Sequence, residues 1–258
     1  MSSASEPNIL QLNNVFYSYG KQAPLISSLS LAVGQGEFIG LLGANGSGKS
    51  TILKLGSGIL RQQAGEILLW SKPLHTYRNR DRAKLISYLP QNLDVTVPFT
   101  IRELVSMGLY PYDIPPVMSI DSALDLVGLY DKASAHLTDL SGGERRRTFI
   151  AMTLVQGAGL LMLDEPLANL DIKYQFEFLT LLKGLKLKNN ISIIMALHDI
   201  NIAVQFEKVM LIKEGKILGS GAPGTVLTKD MLREAFDVNI EVKKQDSGDA
   251  YISYGSNF

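Results

Sequence analysis

The sequence predicts an α/β fold with a parallel core sheet, and two nearly unbroken apolar runs are the main reason. These runs span residues 160–163 and 191–197, and helical patterns of about fifteen and about eight residues follow them. Such runs are typical of strands in a parallel sheet that helices cover on both faces. The alternation of strand and helix therefore indicates the α/β class.

The N-terminal part is predicted to be a β-rich, antiparallel subdomain. Short strand patterns occupy residues 9–17, 29–33, 36–42 and 65–70, with Gly, Asn and Ser between them. The chain beyond residue 209 predicts a hairpin followed by two short helices. We found no internal repeat and no low-complexity segment.

The stretch from about residue 92 to about residue 156 has helical periodicity and predicts an inserted helical subdomain. Prolines at positions 111, 115 and 116 interrupt its helices. Two predicted buried faces are formed by Ile101, Leu104, Val105 and Gly108, and by Ala123, Leu126 and Val127. We therefore predict one domain over residues 1–258, with a core of about 1–91 and 157–240 and a helical subdomain of about 92–156.

Aromatic and proline residues between positions 97 and 116 allow two interpretations. Pro98, Phe99, Tyr110 and Tyr112 either line an apolar groove that receives a partner helix, or pack inside the helical subdomain. The sequence does not decide between these interpretations.

Composition excludes several classes of protein. The 258 residues carry 25 basic and 25 acidic side chains, so the formal net charge is zero, which argues against sequence-blind binding to nucleic acid or anionic lipid. The absence of cysteine excludes disulfides and thiolate zinc sites. The start, MSSASEPNIL, does not resemble a secretory signal, and no apolar run approaches the about 18 residues of a membrane span. If the protein works at a membrane, a partner must supply the spanning part.

Residues 43–50 read GANGSGKS and predict a phosphate-binding loop. The run fits G-x-x-x-x-G-K-[ST], and it stands between an apolar strand and a predicted helix. Its glycines let backbone N–H groups converge on phosphate oxygens, with Lys49 near the β- and γ-phosphates and the Ser50 hydroxyl on Mg²⁺. The predicted nucleotide-contacting residues are Gly43, Ala44, Asn45, Gly46, Ser47, Gly48, Lys49, Ser50 and Thr51.

Two adjacent carboxylates follow the apolar run in LLMLDEP. They are expected at the carboxyl edge of the sheet, where α/β proteins bind their ligands. Asp164 suits Mg²⁺, directly or through water. Glu165 is then available as the general base for an attacking water.

The sequence LSGGE at residues 140–144 predicts a capped helix start that serves as an anion site. Ser141 and Glu144 fit a capping box. Gly142 and Gly143 are poor helix formers in a first turn, so their presence indicates that something approaches the backbone closely. The Ser141 hydroxyl and the exposed N–H groups would bind that anion.

Together with a downstream His198, these motifs closely resemble those of the ATP-binding cassette (ABC) ATPases, and they occur in family order from Tyr19 to His198. The resemblance implies a P-loop NTPase (RecA-like) core with a mainly parallel sheet, and it implies ATP and Mg²⁺ as ligands. It implies that Gln91 touches Mg²⁺ and the lytic water and that His198 holds the γ-phosphate. Tyr19 is the expected adenine-stacking aromatic, and Tyr17 is the competing candidate.

The resemblance also implies a head-to-tail homodimer. Each ATP would lie between the phosphate loop of one copy and the LSGGE of the other, so Ser141, Gly142 and Gly143 serve the partner's nucleotide. Leu170 and Asp171 resemble the segment known as the D-loop. The chain departs from the family pattern at Arg146, where Gln is common, and at residues 151–154; we expect little effect on catalysis.

Two further segments resemble the ATPases of bacterial importers for iron–siderophores, haem and vitamin B12. They are LHDINIA at residues 197–203 and APGTVLTKDMLREAFDVNIEV at residues 222–242. This implies an ATP hydrolase at the cytoplasmic face of the cell membrane, bound to permease subunits and served indirectly by a substrate-binding protein. The alternatives are a soluble ABC ATPase that clamps nucleic acid or ribosomes and, less favoured, a P-loop kinase, which would not need LSGGE.

Overall fold

A computed structural model describes residues 8–21, 23–93, 98–114, 116, 118–168, 170–237, 240–244 and 250–254. The chain divides into two compact units. The first comprises residues 1–76 and 194–258, and the second comprises residues 77–193. Each unit is described by itself.

The first unit contains the predicted antiparallel sheet. Its strands are β1 (Asn8–Tyr17), β2 (Ile26–Gly34), β4 (Ala64–Leu69) and β5 (Lys72–Pro73), in the order β2-β1-β4-β5. β1 lies in the middle, where Leu10 pairs with Val33 on one side and with Leu69 on the other. All three side chains are buried, so this sheet forms one wall of the unit's core.

A second group of strands in this unit positions the phosphate loop. β3 (Phe38–Leu42) runs parallel to β9 (Lys208–Lys213), which forms a hairpin with β10 (Lys216–Gly221). All five residues of β3 are buried, as the apolar pattern predicts. The remaining elements are α1 (Lys49–Gly56), α7 (Ile200–Ala203), α8 (Pro223–Val226), α9 (Lys229–Phe236), β11 (Ile240–Lys244) and β12 (Ala250–Tyr254).

Helix α7 has four residues, although the sequence predicts about eight. The chain leaves the helix after Ala203 and brings Phe206 onto Phe38, with ring centroids 4.3 Å apart and planes 11° apart. The Glu207 N–H then donates to the Phe38 carbonyl at 3.2 Å. The stacked ring pair therefore competes with the local helical pattern and ends the helix early.

The second unit contains two parallel strands and most of the helices. β6 (Ile86–Leu89) runs parallel to β7 (Leu160–Asp164), with Leu89 opposite Leu163. β8 (Ser192–Leu197) crosses the division between the units. The helices are α2 (Asn79–Ala83), α3 (Ile101–Ser106), α4 (Ile120–Leu126), α5 (Gly142–Val155) and α6 (Ile172–Asn189).

Within this unit, α3 and α4 pack on α5, and the end of α5 is fixed to β6. The Gln156 amide donates to the carbonyls of Ala83 at 2.5 Å and Ile86 at 3.0 Å and accepts from Ser87 Oγ at 2.8 Å. The predicted buried face of α3 is confirmed, since Ile101, Leu104 and Val105 are at most 4% exposed.

The predicted face of α4 is wrong at Leu126, which is 46% exposed, whereas Ala123 and Val127 are buried. The helix ends at Leu126, and Val127 already has a non-helical backbone (φ −97°, ψ 5°). The buried residues are Ala123, Leu124 and Val127, which stand at i, i+1 and i+4, so the face that α4 buries is rotated away from Leu126.

The aromatic residues before position 116 divide between the two interpretations. Tyr112 packs internally, since its hydroxyl lies 3.5 Å from the Lys84 carbonyl and Lys84 Nζ lies 5.7 Å from its ring centroid. Tyr110 and Ile114 are each 84% exposed. Val97 and Pro115 lie outside the described residues.

The turn between β9 and β10 contacts the phosphate loop, so its geometry matters beyond the hairpin. Glu214 (φ 46°) and Gly215 (φ 70°) both adopt left-handed backbones, as in a type I′ turn. The Gly215 N–H donates to the Ser47 carbonyl at 2.8 Å. A Cβ at Gly215 would overlap the Leu25 carbonyl oxygen.

We therefore expect Gly215→Ala to lower the free energy of unfolding by more than about 1 kcal/mol, because the substitution adds a backbone clash to left-handed strain. Gly20→Ala is the matched control: Gly20 is also left-handed (φ 62°), but nothing lies within 4 Å of its Cβ position. Urea unfolding of both variants measures the difference. Equal losses would show that the clash with Leu25 is relieved at no cost.

Candidate functional site

Left-handed glycines set the shape of the phosphate loop between β3 and α1. Gly46 has φ 78° and Gly48 has φ 106°, which side chains with a Cβ rarely adopt. Gly48 is also the N-cap of α1, so the reversal places the loop directly over the helix N-terminus. This arrangement provides the partial positive charge that favours an anion there.

The loop is tight at its base and open at its crest. A Cβ at Gly43 would collide with the Ile212 carbonyl and with Ser47 Oγ, whereas nothing lies within 4 Å of a Cβ at Gly46. Asn45 and Gly46 are exposed, while Ser47 and Lys49 are buried. A ligand can therefore approach the loop at Asn45 and Gly46 but not at Gly43.

Lys49 and Ser47 show that this loop fits phosphate groups. Lys49 is 4% exposed, and its Nζ donates to the carbonyls of Gly43 at 2.7 Å and Ala44 at 3.1 Å. Ser47 Oγ is buried and has no hydrogen-bond partner among the described residues. A buried hydroxyl without a partner is unfavourable, and a phosphate oxygen would relieve this. The Gly-rich backbone, the lysine and the hydroxyl are the groups that bind phosphate in such loops.

Tyr19 is connected to the same helix. Its hydroxyl lies 3.2 Å from Thr51 Oγ1, and the ring is 41% exposed. Tyr17 packs edge-on against it, with ring centroids 5.0 Å apart. Desolvation and the neighbouring Tyr19 raise the pKa of Tyr17. Both candidates for the adenine contact therefore lie together, and the Thr51 contact favours Tyr19.

His198 belongs to the first unit and follows β8 directly. It is exposed, and the next residue, Asp199, begins α7 by accepting from the Asn201 N–H at 2.8 Å. The predicted residues of the phosphate loop, the two tyrosines and His198 are thus all in the first unit.

The second unit brings together Gln91, Asp164 and Glu165. Asp164 is the last residue of β7, is 1% exposed and accepts from the Tyr88 hydroxyl at 3.2 Å. Gln91 Nε2 donates to Glu165 Oε2 at 2.7 Å. The parallel pairing of β6 with β7 explains this, because the two strands end side by side. Glu165 has φ 48°, a disfavoured backbone for a residue with a Cβ.

A buried arginine, to which sequence reasoning gave no role, supports this turn. Arg146 is 7% exposed and donates to backbone carbonyls of the acidic turn. Desolvation lowers its pKa, and the Glu165 and Asp164 carboxylates raise it. The sequence feature that marks Arg146 is that Gln is common at its position. A single sequence does not show which of the three consecutive arginines points into the protein.

The capping box at the start of α5 is confirmed. Ser141 Oγ donates to Glu144 Oε2 at 2.7 Å and accepts from the Glu144 N–H at 3.3 Å, and the Ser141 N–H donates to the same carboxylate at 3.0 Å. Lys132 Nζ lies 2.5 Å from Glu144 Oε1. The Lys132 hydrogen bond, with the Ser141 bonds, lowers the pKa of Glu144 to about 2.

The glycines that follow Ser141 are not required by packing within the described chain. A Cβ at Gly142 would meet nothing within 4 Å, and one at Gly143 would meet only Leu170 Cδ2, at 3.7 Å. Leu170 is buried, and Asp171 is exposed as the N-cap of α6. Asn169 lies outside the described residues. The contact of this turn with an anion stays a prediction.

A known protein family matches the part of the chain that carries most of these motifs. The family described as ABC transporter matches residues 26–168. This chain belongs to the ABC transporter family. As a member, it binds nucleotide and hydrolyses ATP in support of transport. Its α/β fold, with the antiparallel N-terminal sheet, is the P-loop NTPase fold that the sequence predicts.

Individual relatives cover most of the chain. It is 36% identical to the petrobactin import ATP-binding protein of Bacillus anthracis over 242 residues, 91% of this chain and 89% of that protein. It is also 36% identical to a hemin import ATP-binding protein of Rhodopseudomonas palustris over 240 residues, 89% of this chain and 91% of that protein.

Among solved structures, cbiO1 of Clostridium perfringens, part of the ABC transporter complex cbiONQ, superposes with a TM-score of 0.76 at 29% identity. The match covers 89% of this chain and 94% of that one. Among the described residues, no helix has both the length and the apolar composition that crossing a membrane requires.

The lowered pKa of Glu144 predicts how acid acts on the start of α5. A carboxylate with a depressed folded-state pKa stabilises the fold above its ordinary value of 4.5, and this contribution is lost as the pH falls toward about 2. The difference in unfolding free energy between the wild type and Glu144→Gln should therefore be largest above pH 4.5 and shrink below it. Urea unfolding at several pH values measures this, and a difference that does not change with pH would contradict the assignment.

Proposed function

We propose that this chain is the ATP-binding subunit of an importer for a metal chelate. The observation that carries the proposal is the phosphate loop, in which Lys49 is buried and the buried Ser47 hydroxyl has no hydrogen-bond partner among the described residues. Membership in the ABC transporter family supplies the reaction that such a loop serves.

We also propose that the chain is one domain with a helical subdomain of about residues 92–156.

The triphosphate would be bound by the backbone N–H groups of the loop and by Lys49. Lys49 already points back at the loop, so its charge is positioned where the β- and γ-phosphates would lie. Tyr19 would stack on the adenine, since its ring is partly exposed and its hydroxyl is fixed near Thr51. The binding energy would thus be spread over the loop, one cation and one aromatic ring.

Mg²⁺ fits the donor groups proposed for it. Ser50, Gln91 and Asp164 offer a hydroxyl, an amide oxygen and a carboxylate, the hard oxygen ligands that Mg²⁺ prefers, and Mg²⁺ commonly uses one or two carboxylates together with substrate phosphates. When bound, the ion would neutralise charge on the phosphates.

Glu165 is proposed as the general base and His198 as the γ-phosphate contact. Glu165 would accept a proton from water as the water oxygen bonds to the γ-phosphorus and the bond to the bridging oxygen breaks, giving ADP and phosphate. Gln91 already donates to the Glu165 carboxylate at 2.7 Å, which orients that group beside a residue proposed to contact the same water. His198 is exposed, as a ligand contact requires.

Two copies of the chain would enclose each nucleotide. Ser141, Gly142 and Gly143 of one copy would contact the triphosphate that the other copy's loop binds, with Asp171 nearby. The open space around Gly142 supports this, because nothing in the described chain requires a glycine there. A two-fold dimer of this kind has two equivalent sites.

The import assignment and the cargo class rest on relatives and on the C-terminal resemblance. Petrobactin and hemin are the compounds that the relatives' names give as imported. We propose an iron chelate or cobalamin as cargo, carried by separate permease subunits that a substrate-binding protein loads, with this chain at the cytoplasmic face of the membrane. The import names of these relatives do not favour the soluble clamp on nucleic acid or ribosomes.

We expect Glu165→Gln to keep ATP binding and lower steady-state hydrolysis by about 100-fold or more, because an amide cannot accept the proton. Phosphate release measures turnover, and fluorescent nucleotide titration measures binding. Glu177→Gln is the control, since this exposed carboxylate on α6 pairs only loosely with Lys173, at 3.8 Å. Unchanged hydrolysis in Glu165→Gln would remove Glu165 from the base role.

Gly142→Ala should separate folding from function. The added Cβ meets nothing in the described chain, so stability should stay equal or rise by up to about 1 kcal/mol, whereas ATP-driven dimerisation should be lost. Gly184→Ala is the matched control, because its Cβ within α6 also meets nothing within 4 Å. Thermal unfolding and sedimentation with ATP measure both properties. Dimerisation of Gly142→Ala equal to that of the control would contradict a nucleotide contact at this turn.

A further inference from the structure

Arg146 lies on α5, five residues after Ser141, and its side chain points into the second unit. It is 7% exposed, so its guanidinium must find partners inside the protein. Gln is common at this position, and the sequence alone indicates little effect of the exchange on catalysis; the contacts of Arg146 with the Glu165 turn change that expectation. Its contacts therefore concern this chain in particular.

The partners of Arg146 are main-chain carbonyls of two segments. Nε donates to the Pro166 carbonyl at 2.5 Å, and Nη2 donates to the carbonyls of Glu165 and, at 3.4 Å, Asp164. Nη1 lies 3.5 Å from the Gln91 carbonyl. The guanidinium thus contacts the backbone on both sides of the carboxylate proposed as the base, and that carboxylate accepts from Gln91.

The backbone that Arg146 contacts is one that needs support. Glu165 has φ 48°, and a left-handed backbone costs about 1–2 kcal/mol for a residue with a Cβ. Such conformations persist where the surrounding structure holds them. Hydrogen bonds to the carbonyls of Glu165 and Pro166 fix the direction of both peptide groups, and the direction of the Glu165 backbone determines where its carboxylate lies.

The charge of Arg146 acts in the same direction as its geometry. A guanidinium stays protonated in proteins, and the Asp164 and Glu165 carboxylates oppose the effect of burial on its pKa. Charge-assisted hydrogen bonds are about twice as strong as neutral ones, so the turn is held more firmly than an amide could hold it.

We propose that Arg146 is a positioning residue that fixes the backbone of Glu165 and so aims its carboxylate for water activation. The proposal rests on the base role proposed for Glu165. It has one structural consequence: because Arg146 and the Ser141 turn belong to the same helix, a movement of α5 would be transmitted to the Glu165 main chain.

Arg146→Gln removes only part of these contacts. The Gln amide nitrogen stands at the same place along the side chain as Arg Nε, so it can keep the bond to Pro166, whereas both Nη groups and the charge are lost. We expect kcat for ATP hydrolysis to fall on the order of tenfold, because a small misplacement of a reacting group slows the chemical step. ATP affinity should change by less than about twofold, since the phosphate loop is untouched.

Arg78→Gln is the matched control for charge and residue type. Its side chain is 92% exposed and reaches Asp81 only at 3.8 Å, so kcat should equal that of the wild type. Arg146→Lys keeps the charge and a single donor group, and we expect a smaller loss of kcat with the same ATP affinity. This variant also gives the answer if Arg146→Gln does not fold.

The double variant Arg146→Gln/Glu165→Gln distinguishes positioning from general support of the fold. If Arg146 acts through Glu165, its loss should not slow single-turnover hydrolysis further once the carboxylate is gone. A merely structural role would lower the rate by the same factor in both backgrounds.

Three results would overturn the proposal: a kcat within twofold of the wild type in Arg146→Gln, a loss that is explained by weaker ATP binding, or equal losses with and without Glu165. The proposed base role fails separately, if Glu165→Gln alone leaves hydrolysis unchanged. If Arg146→Gln hydrolyses ATP as fast as the wild type while Glu165→Gln is inactive, only the positioning role of Arg146 is rejected.

Discussion

The backbone of the phosphate loop is the constraint on which the nucleotide-dependent behaviour of this chain depends. Glycines at 46 and 48 supply left-handed backbones, and Gly43 leaves room for the Ile212 carbonyl, so the loop closes over the start of α1. Lys49 is then buried with its amine against two loop carbonyls. The hairpin turn at Gly215 supports the loop from outside through the Ser47 carbonyl. A side chain would clash with the Ile212 carbonyl and Ser47 at Gly43, and would strain the left-handed backbone at Gly46 and Gly48.

The second unit uses main-chain hydrogen bonding in a comparable way. A capping box fixes the start of α5, and Arg146 further along that helix holds the turn that carries Asp164 and Glu165. Lys132 strengthens the cap by pairing with the Glu144 carboxylate. The helix thus connects a turn that is open to an external ligand with the backbone of the proposed base. This connection is a physical route by which events at the Ser141 turn can affect hydrolysis.

Local chemistry made much of this predictable from sequence. The phosphate loop, the strand that ends in Asp164 and the capping box are each set by a few adjacent residues, and the structure has them where the sequence predicts them. Features that depend on distant contacts were not predictable. Helix α7 ends early because Phe206 stacks on Phe38, Leu126 is exposed because α4 buries the face of Ala123, Leu124 and Val127 instead, and the hairpin of β11 and β12 had no clear pattern. The inward orientation of Arg146 depends on carbonyls that come together only in the fold.

Enclosure of each nucleotide between two copies of this chain can be tested directly by cross-linking. Because the sequence has no cysteine, single cysteines can be introduced without background, one at the exposed loop residue Asn45 and one, in a separate preparation, at Ser141. The two proteins are mixed and treated with a bifunctional thiol reagent long enough to span a triphosphate. If two copies enclose each nucleotide, a cross-linked pair of the two different variants forms with ATP and not without it. No such pair at saturating ATP, with nucleotide binding intact in both variants, would contradict this enclosure.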